Sequence, residues 1–469
     1  MIDSYDFLVI GGGSAGYAGA LTAAQLGLKS AVVEGAEEIG GLCILRGCMP
    51  SKALLESAHR AEVVRHAGAF GIHAEYRGAS AAEIRTRKRR LIGEFATYRR
   101  TQLERAGFDF IRGRARFADT HHVEIALLGG GTRVVEAKTA LIATGSAVKI
   151  PPIPGLAEAG YWTSDDVLDA DQLPKSVCIL GGGAIALEAG SFYQGLAVPT
   201  TVIQRSAQVL REMDTDIAEE LVQALRRRGM IVHVDTKLHH VSKGEDQKLV
   251  HFTDGDGQTR IVEAEAIVCA LGREPFTRDL GLSSAGVALD GSRIIVEQTQ
   301  QTSIPHLFAA GDVCGPHEVV HLAIQQAEVA ARNSARLLGR HDGPPEHIDY
   351  MLKLFAVFTQ PQAAAVGFTE PEAHVQGFDF VTAKYPFSDH GKSIIRDEID
   401  GFVKLIADRS SGRIIGGACL GPEASELIHE IVVAMRFGAT AAQLASTPHY
   451  HPTLSEIWTY PAEELAKIA

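Results

Sequence analysis

Phe7-Leu8-Val9-Ile10-Gly11-Gly12-Gly13-Ser14-Ala15-Gly16 is the stretch on which the fold turns. Four apolar residues read as a buried strand, and the glycines after them mark a tight turn. A helix is predicted from there through about Leu26, and Ala31-Val32-Val33-Glu34 reads as the next strand. Gly11, Gly13 and Gly16 hold the G-x-G-x-x-G spacing. Glycine is needed there for the turn, for close approach of backbone to a pyrophosphate, and for helix–strand packing. The helix N-terminus then faces the phosphates with its positive end. Glu34 closes the second strand, where a carboxylate accepts hydrogen bonds from an adenosine ribose. Strand, turn, helix and acid together predict a dinucleotide site.

The same arrangement returns downstream. Val177-Cys178-Ile179-Leu180 reads as a strand, Gly181-Gly182-Gly183 as a turn, and Thr201-Val202-Ile203 as the following strand. Gly181, Gly183 and Ala186 satisfy the motif, which tolerates alanine at its third place. Counting 23 residues from Gly11 reaches Glu34, and the same count from Gly181 reaches Gln204, with Arg205 next and Arg211 beyond. An acid at that point repels the 2′-phosphate of NADP, whereas arginine pairs with it. The first unit therefore suits a free ribose hydroxyl, and the second predicts NADPH over NADH.

Along the rest of the chain, short β-branched runs alternate with helical stretches, the α/β pattern. The 469 residues are too many for one hydrophobic core, so several domains are expected. Apolar residues make up 46% and charged residues 22%, an ordinary globular composition. No apolar run approaches the roughly 20 residues that span a bilayer, so no membrane partner is expected. The acidic start Met1-Ile2-Asp3-Ser4-Tyr5-Asp6 is unlike an export signal, and a cytoplasmic location is expected. A net charge of −12 argues against nucleic acid as a partner. Residues 83–106 read as a long polar helix, and its basic run, Arg85 to Arg90, is taken as a solvated face. Gly129-Gly130-Gly131 suggests a hairpin turn, and 423–437 a strong helix. Pro151-Pro152-Ile153-Pro154-Gly155 and Gly343-Pro344-Pro345 fit domain boundaries. Of six cysteines, Cys178, Cys269, Cys314 and Cys419 stand alone in apolar segments and read as small buried hydrophobes.

The other two lie in Gly40-Gly41-Leu42-Cys43-Ile44-Leu45-Arg46-Gly47-Cys48-Met49-Pro50-Ser51-Lys52. This segment resembles the active-site motif of the class I pyridine-nucleotide disulfide oxidoreductases, the family of glutathione reductase, dihydrolipoamide dehydrogenase and mercuric reductase. Other segments resemble that family in the right order. Ala143-Thr144-Gly145 resembles the close of its FAD domain, and Phe308-Ala309-Ala310-Gly311-Asp312 its second FAD motif. His449-Tyr450-His451-Pro452-Thr453-Leu454-Ser455-Glu456 resembles its catalytic segment. The resemblance implies an α/β fold with two Rossmann-like doubly wound nucleotide-binding domains, for FAD and NADPH, plus an α+β C-terminal dimerisation domain. The FAD domain is placed at 1–150 and 276–345, the NADPH domain at 151–275 and the dimerisation domain at 346–469. It further implies a redox disulfide between Cys43 and Cys48, with Cys48 against the flavin and Cys43 as the interchange thiol. Lys52 is expected near the flavin, paired with Glu188. His451, oriented by Glu456, is expected to shuttle the proton from the partner subunit of a homodimer. Ser14 joins the implied FAD contacts and Gly272 the implied NADPH contacts. The residue chemistry agrees: two cysteines five apart at a helix start can close a small disulfide, and a helix N-terminus with a nearby cation lowers a thiolate pKa. Zinc would need two further ligands at suitable spacing, so no metal is expected.

The chain also departs from its relatives. Ala184 stands where many of them carry a tyrosine gate over the nicotinamide pocket. Leu21 and Glu328 stand where glutathione reductases place substrate-binding arginines, and the final residues Tyr460–Ala469 lack the cysteine pair of mercuric reductases. The acid–base segment is most like dihydrolipoamide dehydrogenase, whereas Gln204-Arg205 suits NADP. The expected activity is NADPH-driven reduction of a small-molecule disulfide other than glutathione. The alternative is a dihydrolipoamide dehydrogenase working in the oxidising direction. A flavoprotein for simple electron transfer or sensing has no use for Cys43, Cys48, His451 and Glu456 together. His449 is left open between a neutral core residue and an acid–base group.

Overall fold

The computed structural model describes residues 2–468; Met1 and Ala469, the outermost residues of the predicted domains, lie outside the described residues. The chain divides into two compact units, one of 1–53, 86–149 and 273–349, the other of 54–85, 150–272 and 350–469. The first holds most of the predicted FAD segments, and the second holds the predicted NADPH and C-terminal segments together.

In chain order the elements run β1 (Asp3–Ile10), α1 (Ser14–Gln25), β2 (Ser30–Glu34), α2 (Gly41–Leu45), α3 (Cys48–His66), α4 (Ala81–Arg105), β3 (Asp109–Phe117), β4 (His122–Leu127) and β5 (Thr132–Ile142). In the first unit β1 lies between β2 and β5, all parallel. β3 continues the sheet beside β2, and the strand Leu307–Ala309 adds to the far side of β5. Phe7, Leu8, Val9 and Ile10 are at most 3% exposed, which is why β1 reads as an unbroken apolar run and not as an alternation. Each such side chain contributes about 1.5–3 kcal/mol of burial. β5 shows both regimes: it alternates where it forms a hairpin with β4, then is continuously buried from Thr139 onward. The Gly129-Gly130-Gly131 turn closes that hairpin, with the Leu127 N–H donating to the Gly131 carbonyl. α1 packs on the helix Val320–Leu337, where Gly19 lies against Leu141 and Ala327.

The second unit contains three sheets. A parallel sheet runs in the order Ala266–Cys269, Val177–Leu180, Thr200–Ile203, Ile231–His233. An antiparallel three-stranded sheet spans 237–264. An antiparallel five-stranded sheet, Leu354–Val357, Gln362–Gly367, Ile414–Gly421, Phe402–Asp408 and Phe380–Pro386, is packed against the helix Ala424–Arg436. The four lone cysteines are buried, as their apolar surroundings predicted.

The basic run on α4 departs from expectation. Lys88 is only 4% exposed. The Arg87 guanidinium donates to the Ala53 carbonyl at 3.1 Å, and Arg85 donates to the Asp169 carbonyl and pairs with Asp171. Long side chains cover apolar surface with their stems while their heads find carbonyl oxygens, so a charge run need not be a solvated face.

Candidate functional site

Both glycine turns are built alike. Gly11 donates its N–H to the Val33 carbonyl at 2.9 Å, and Gly181 donates to the Ile203 carbonyl at the same distance. Both have positive φ, and a Cβ on either would collide with a carbonyl oxygen, that of Ala143 or of Ala270. Gly16 lets α1 sit on the Gly11 carbonyl, and the fully buried Ala186 holds the matching place in the second turn. The equivalence reaches the strand ends. A Cβ on Gly12 would meet the Glu34 side chain, and one on Gly182 would meet that of Gln204. Gln204 thus occupies in the second turn the position of Glu34 in the first. Glu34 accepts from the Gly12 N–H at 2.8 Å and the Ala36 N–H at 2.7 Å, whereas the Gln204 amide donates to the Gln208 carbonyl. Arg205, Arg211, Gly183, Ala184 and Gly272 are exposed around this second turn.

In the first unit the predicted FAD residues converge at one edge of the parallel sheet. β1 delivers Gly11, Gly13, Ser14 and Gly16, and β5 delivers Ala143, Thr144 and Gly145. The strand Leu307–Ala309 delivers Gly311 and Asp312 beside them. Ser146 donates its hydroxyl to Asp312 at 2.6 Å, and the Gly311 N–H donates to the Gln326 side chain at 2.7 Å. These residues lie past the carboxyl ends of the strands, where open α/β sheets bind ligands. The geometry fits FAD: α1 begins at Gly13 with no side-chain cap, leaving its first N–H groups for an anion, and side chains at Gly11 or Gly41 would fill the cradle.

Gly41 also brings the redox segment to this cradle, since its Cα approaches Gly13 closely enough that a Cβ would clash. Cys43 lies in α2 and Cys48 starts α3, both half-buried and both thiols. The Cys43 thiol is hydrogen-bonded to Cys48; that bond and burial hold its pKa well above the ordinary thiol value, while the Lys52 charge pulls it down. The lowering expected from a helix start and a cation is therefore overridden at Cys43, because two thiols in contact do not ionise independently. Lys52 stands in the first unit and Glu188 in the second; Glu188 is 7% exposed and accepts from the Phe358 N–H at 3.1 Å.

In the second unit His451 Nδ1 lies 3.0 Å from Glu456 Oε2, the pairing the segment implied. The imidazole is 79% exposed and the carboxylate 11%, so a nearly buried acid orients an open base. The other oxygen of Glu456 faces His390 Nε2 at 3.4 Å, a residue the sequence did not single out. His390 is fully buried, shares a 2.9 Å hydrogen bond with Ser393 through Nδ1, and has a pKa lowered by that burial. His449 Nε2 lies 2.6 Å from Glu430 on the helix Ala424–Arg436, and its Nδ1 lies 2.9 Å from the Thr447 carbonyl, so its imidazole is held between that helix and its own segment. Among the described residues no group of three His, Cys, Asp or Glu side chains is placed to hold a metal, and no helix is long and apolar enough to cross a membrane.

Known proteins agree with this architecture along the whole chain. Residues 5–332 match the family model for pyridine nucleotide-disulphide oxidoreductases, and 355–462 match the model for their dimerisation domain. The chain belongs to the pyridine nucleotide-disulphide oxidoreductases and carries that family's flavoprotein fold. Among curated relatives, a dihydrolipoyl dehydrogenase of Mycobacterium tuberculosis is 35% identical over 462 residues, covering 96% of each chain. One from Geobacillus stearothermophilus is 32% identical over 470 residues, covering 98% of this chain and 95% of that protein. Among solved structures, LpdA of M. tuberculosis superposes with a TM-score of 0.87 at 29% identity, covering 99% of this chain and all of the other. The Cu(II) complex of the HOCl-induced flavoprotein disulfide reductase RclA from Escherichia coli has the same fold, with a TM-score of 0.85 at 24% identity over 99% of this chain and 100% of that one.

Proposed function

We propose that this flavoprotein uses NADPH to reduce a small-molecule disulfide other than glutathione through Cys43 and Cys48. The observation that carries the nucleotide choice is Gln204 in the place that Glu34 fills in the first turn, with Arg205 exposed beside it. A carboxylate there would grip the ribose diol of NADH and repel a 2′-phosphate; an amide followed by a guanidinium reverses both preferences. Bound FAD supplies the hydride acceptor that connects a two-electron nucleotide donor to a disulfide. The chain's own groups do the rest. Cys43 serves as the interchange thiol: it attacks the substrate disulfide and releases the first product thiol, leaving a mixed disulfide. Cys48 then attacks Cys43 and closes the ring as the second product thiol departs. Lys52 supports the anionic form of the pair. His451 from the partner subunit gives its proton to the departing thiolate, and Glu456 holds the imidazole by Nδ1 so that Nε2 faces the sulfur.

The relatives support a second reading, a dihydrolipoyl dehydrogenase that oxidises its dithiol with NAD(P). Steady-state assays with NADPH and NADH against lipoamide, glutathione disulfide, cystine and other small disulfides decide between them. The primary reading expects NADPH to lead NADH by about tenfold or more in kcat/KM, the value of one good charge pair to the 2′-phosphate. It also expects one soluble disulfide to be preferred. Equal use of NADH, or a preference for lipoamide by orders of magnitude, would hand the assignment to the second reading.

A further inference from the structure

Of the arginines on α4, Arg99 is the one with two buried guanidinium nitrogens left unmet among the described residues, against one, Nε, on Arg85. Arg85 and Arg87 reach backbone carbonyls and Arg90 reaches Glu94 at 2.8 Å, so their charges are answered within the protein. Arg99, two turns further along, lies with its guanidinium carbon 4.3 Å from the centre of the Tyr17 ring. Its Nε and Nη1 are sealed from solvent and have no hydrogen-bond partner among the described residues. Buried guanidinium N–H groups left unmet are costly, and native structures meet them with protein, water or ligand. Stacking on an aromatic ring fixes the plane of the guanidinium but accepts none of its N–H bonds.

The surroundings say what the missing acceptor is for. Burial lowers the Arg99 pKa, and the groups that pull it back up are Tyr17, Cys43 and Tyr98, so the guanidinium is within electrostatic reach of the interchange sulfur. No carboxylate is among them. Tyr17 is on α1, one turn past Ser14, and Cys43 is on α2, so three elements of the first unit meet around this cation.

We infer that Arg99 is an anion subsite for the substrate: the disulfide that Cys43 attacks carries a carboxylate, or an equivalent acidic group, that the Arg99 N–H groups bind against the Tyr17 face. The inference rests on the small-disulfide reading and narrows it to acidic disulfides. With Nη2 as the second member of the fork beside Nε or Nη1, the planar guanidinium donates two parallel hydrogen bonds to a carboxylate, which fixes the sulfur–sulfur bond relative to Cys43 as well as adding affinity.

Two measurements on the flavin-loaded enzyme test it. The first compares 3,3′-dithiodipropionate, bis(2-hydroxyethyl) disulfide and cystamine, which carry two carboxylates, no charge and two ammonium groups, using wild type, Arg99→Gln and Arg99→Lys. Wild type is expected to favour the dicarboxylate by about tenfold in kcat/KM, the size of one charge-assisted hydrogen bond. Arg99→Gln loses that preference and Arg99→Lys keeps part of it, while NADPH–quinone turnover is unchanged in both. The second needs no disulfide turnover: the NADPH-reduced enzyme is alkylated by iodoacetate or iodoacetamide, and modification of Cys43 is followed by mass spectrometry. A local cation raises the iodoacetate rate relative to iodoacetamide, and Arg99→Gln is expected to lower that ratio about tenfold. If no small disulfide is turned over but the alkylation ratio falls, the proposed activity fails and the anion subsite stands. If disulfides are turned over and neither the preference nor the ratio responds to Arg99→Gln, the subsite fails and the activity stands. Loss of flavin with an unchanged ratio would place the guanidinium on the cofactor and also overturn the subsite.

Discussion

Glu456 stands between two imidazoles of opposite character. His451 is open and 3.0 Å from one oxygen; His390 is closed and 3.4 Å from the other. The first pair was legible because the segment His449–Glu456 resembles the family's catalytic segment, which implied it. His390 was not, because nothing local in Ser388-Asp389-His390-Gly391 distinguishes a histidine that reaches Glu456 only after the chain folds. Its burial has a consequence for acid stability. Burial lowers its pKa from the ordinary 6.5, with Glu456 opposing and the His451 charge assisting. A depressed folded-state value means that the unfolded chain binds the proton more readily. The stabilisation is therefore complete above about pH 6.5 and is lost as the pH falls through the lower folded value. Thermal unfolding followed between about pH 5 and 8 should show a falling Tm at the acid end. His390→Gln should flatten that fall while lowering Tm near pH 8. An equally steep acid limb in the variant would remove His390 as its source.

Elements were read well where one requirement dominates. The glycine turns at Gly11 and Gly181 admit no other residue, so the spacing alone located both nucleotide units. The helix 423–437 and the hairpin at Gly129 were equally plain. Pairings between elements were not, and Lys404 is the clearest case. The strand Phe402–Asp408 reads as apolar with one lysine, and a lysine in a strand usually points to water. Instead Lys404 is 1% exposed and meets Asp214 at 2.9 Å, Asp216 at 3.1 Å and the Glu370 carboxylate. Burial acts to lower its pKa, but hydrogen bonds to Glu370 and Asp214 outweigh it and the value is raised. The cluster joins the starts of two helices, Thr215–Arg227 and Glu370–Val375, to one strand of the antiparallel sheet. Lys404→Met removes the cation that faces Asp214, a carboxylate 6% exposed that also accepts from the Glu370 N–H at 2.8 Å. Breaking a buried pair from one side costs about 3–5 kcal/mol. Urea unfolding of the variant should show a loss of that size, and a loss below about 1 kcal/mol, typical of exposed pairs, would mean that the cluster is solvated in solution.

At the scale of the whole molecule, the family's dimerisation domain, 355–462, contains the His451–Glu456 pair and several exposed apolar side chains. Tyr450 and Phe437 are more than four-fifths exposed and Val433 is 57% exposed, an unusual amount of uncovered apolar surface for the segment from the helix Ala424–Arg436 to the residue before His451. The resemblance implied a homodimer that delivers His451 to the partner's thiols, and a two-fold arrangement makes a sharp prediction. Cys43→Ser and His451→Ala are each expected to abolish most disulfide reduction as homodimers while sparing NADPH–quinone turnover. Unfolding and refolding an equal mixture gives a population in which about half the dimers are mixed. In a mixed dimer one site has lost both groups and the other has kept both, because thiols and imidazole come from different chains. Disulfide reductase activity should therefore return to about a quarter of the wild-type value. If Cys43 and His451 worked within one chain, every site in the mixture would lack one group and no activity would return. The same experiment separates this arrangement from a folding defect, since a misfolded variant would also fail to rescue its partner and would lose the quinone activity that the flavin site supports.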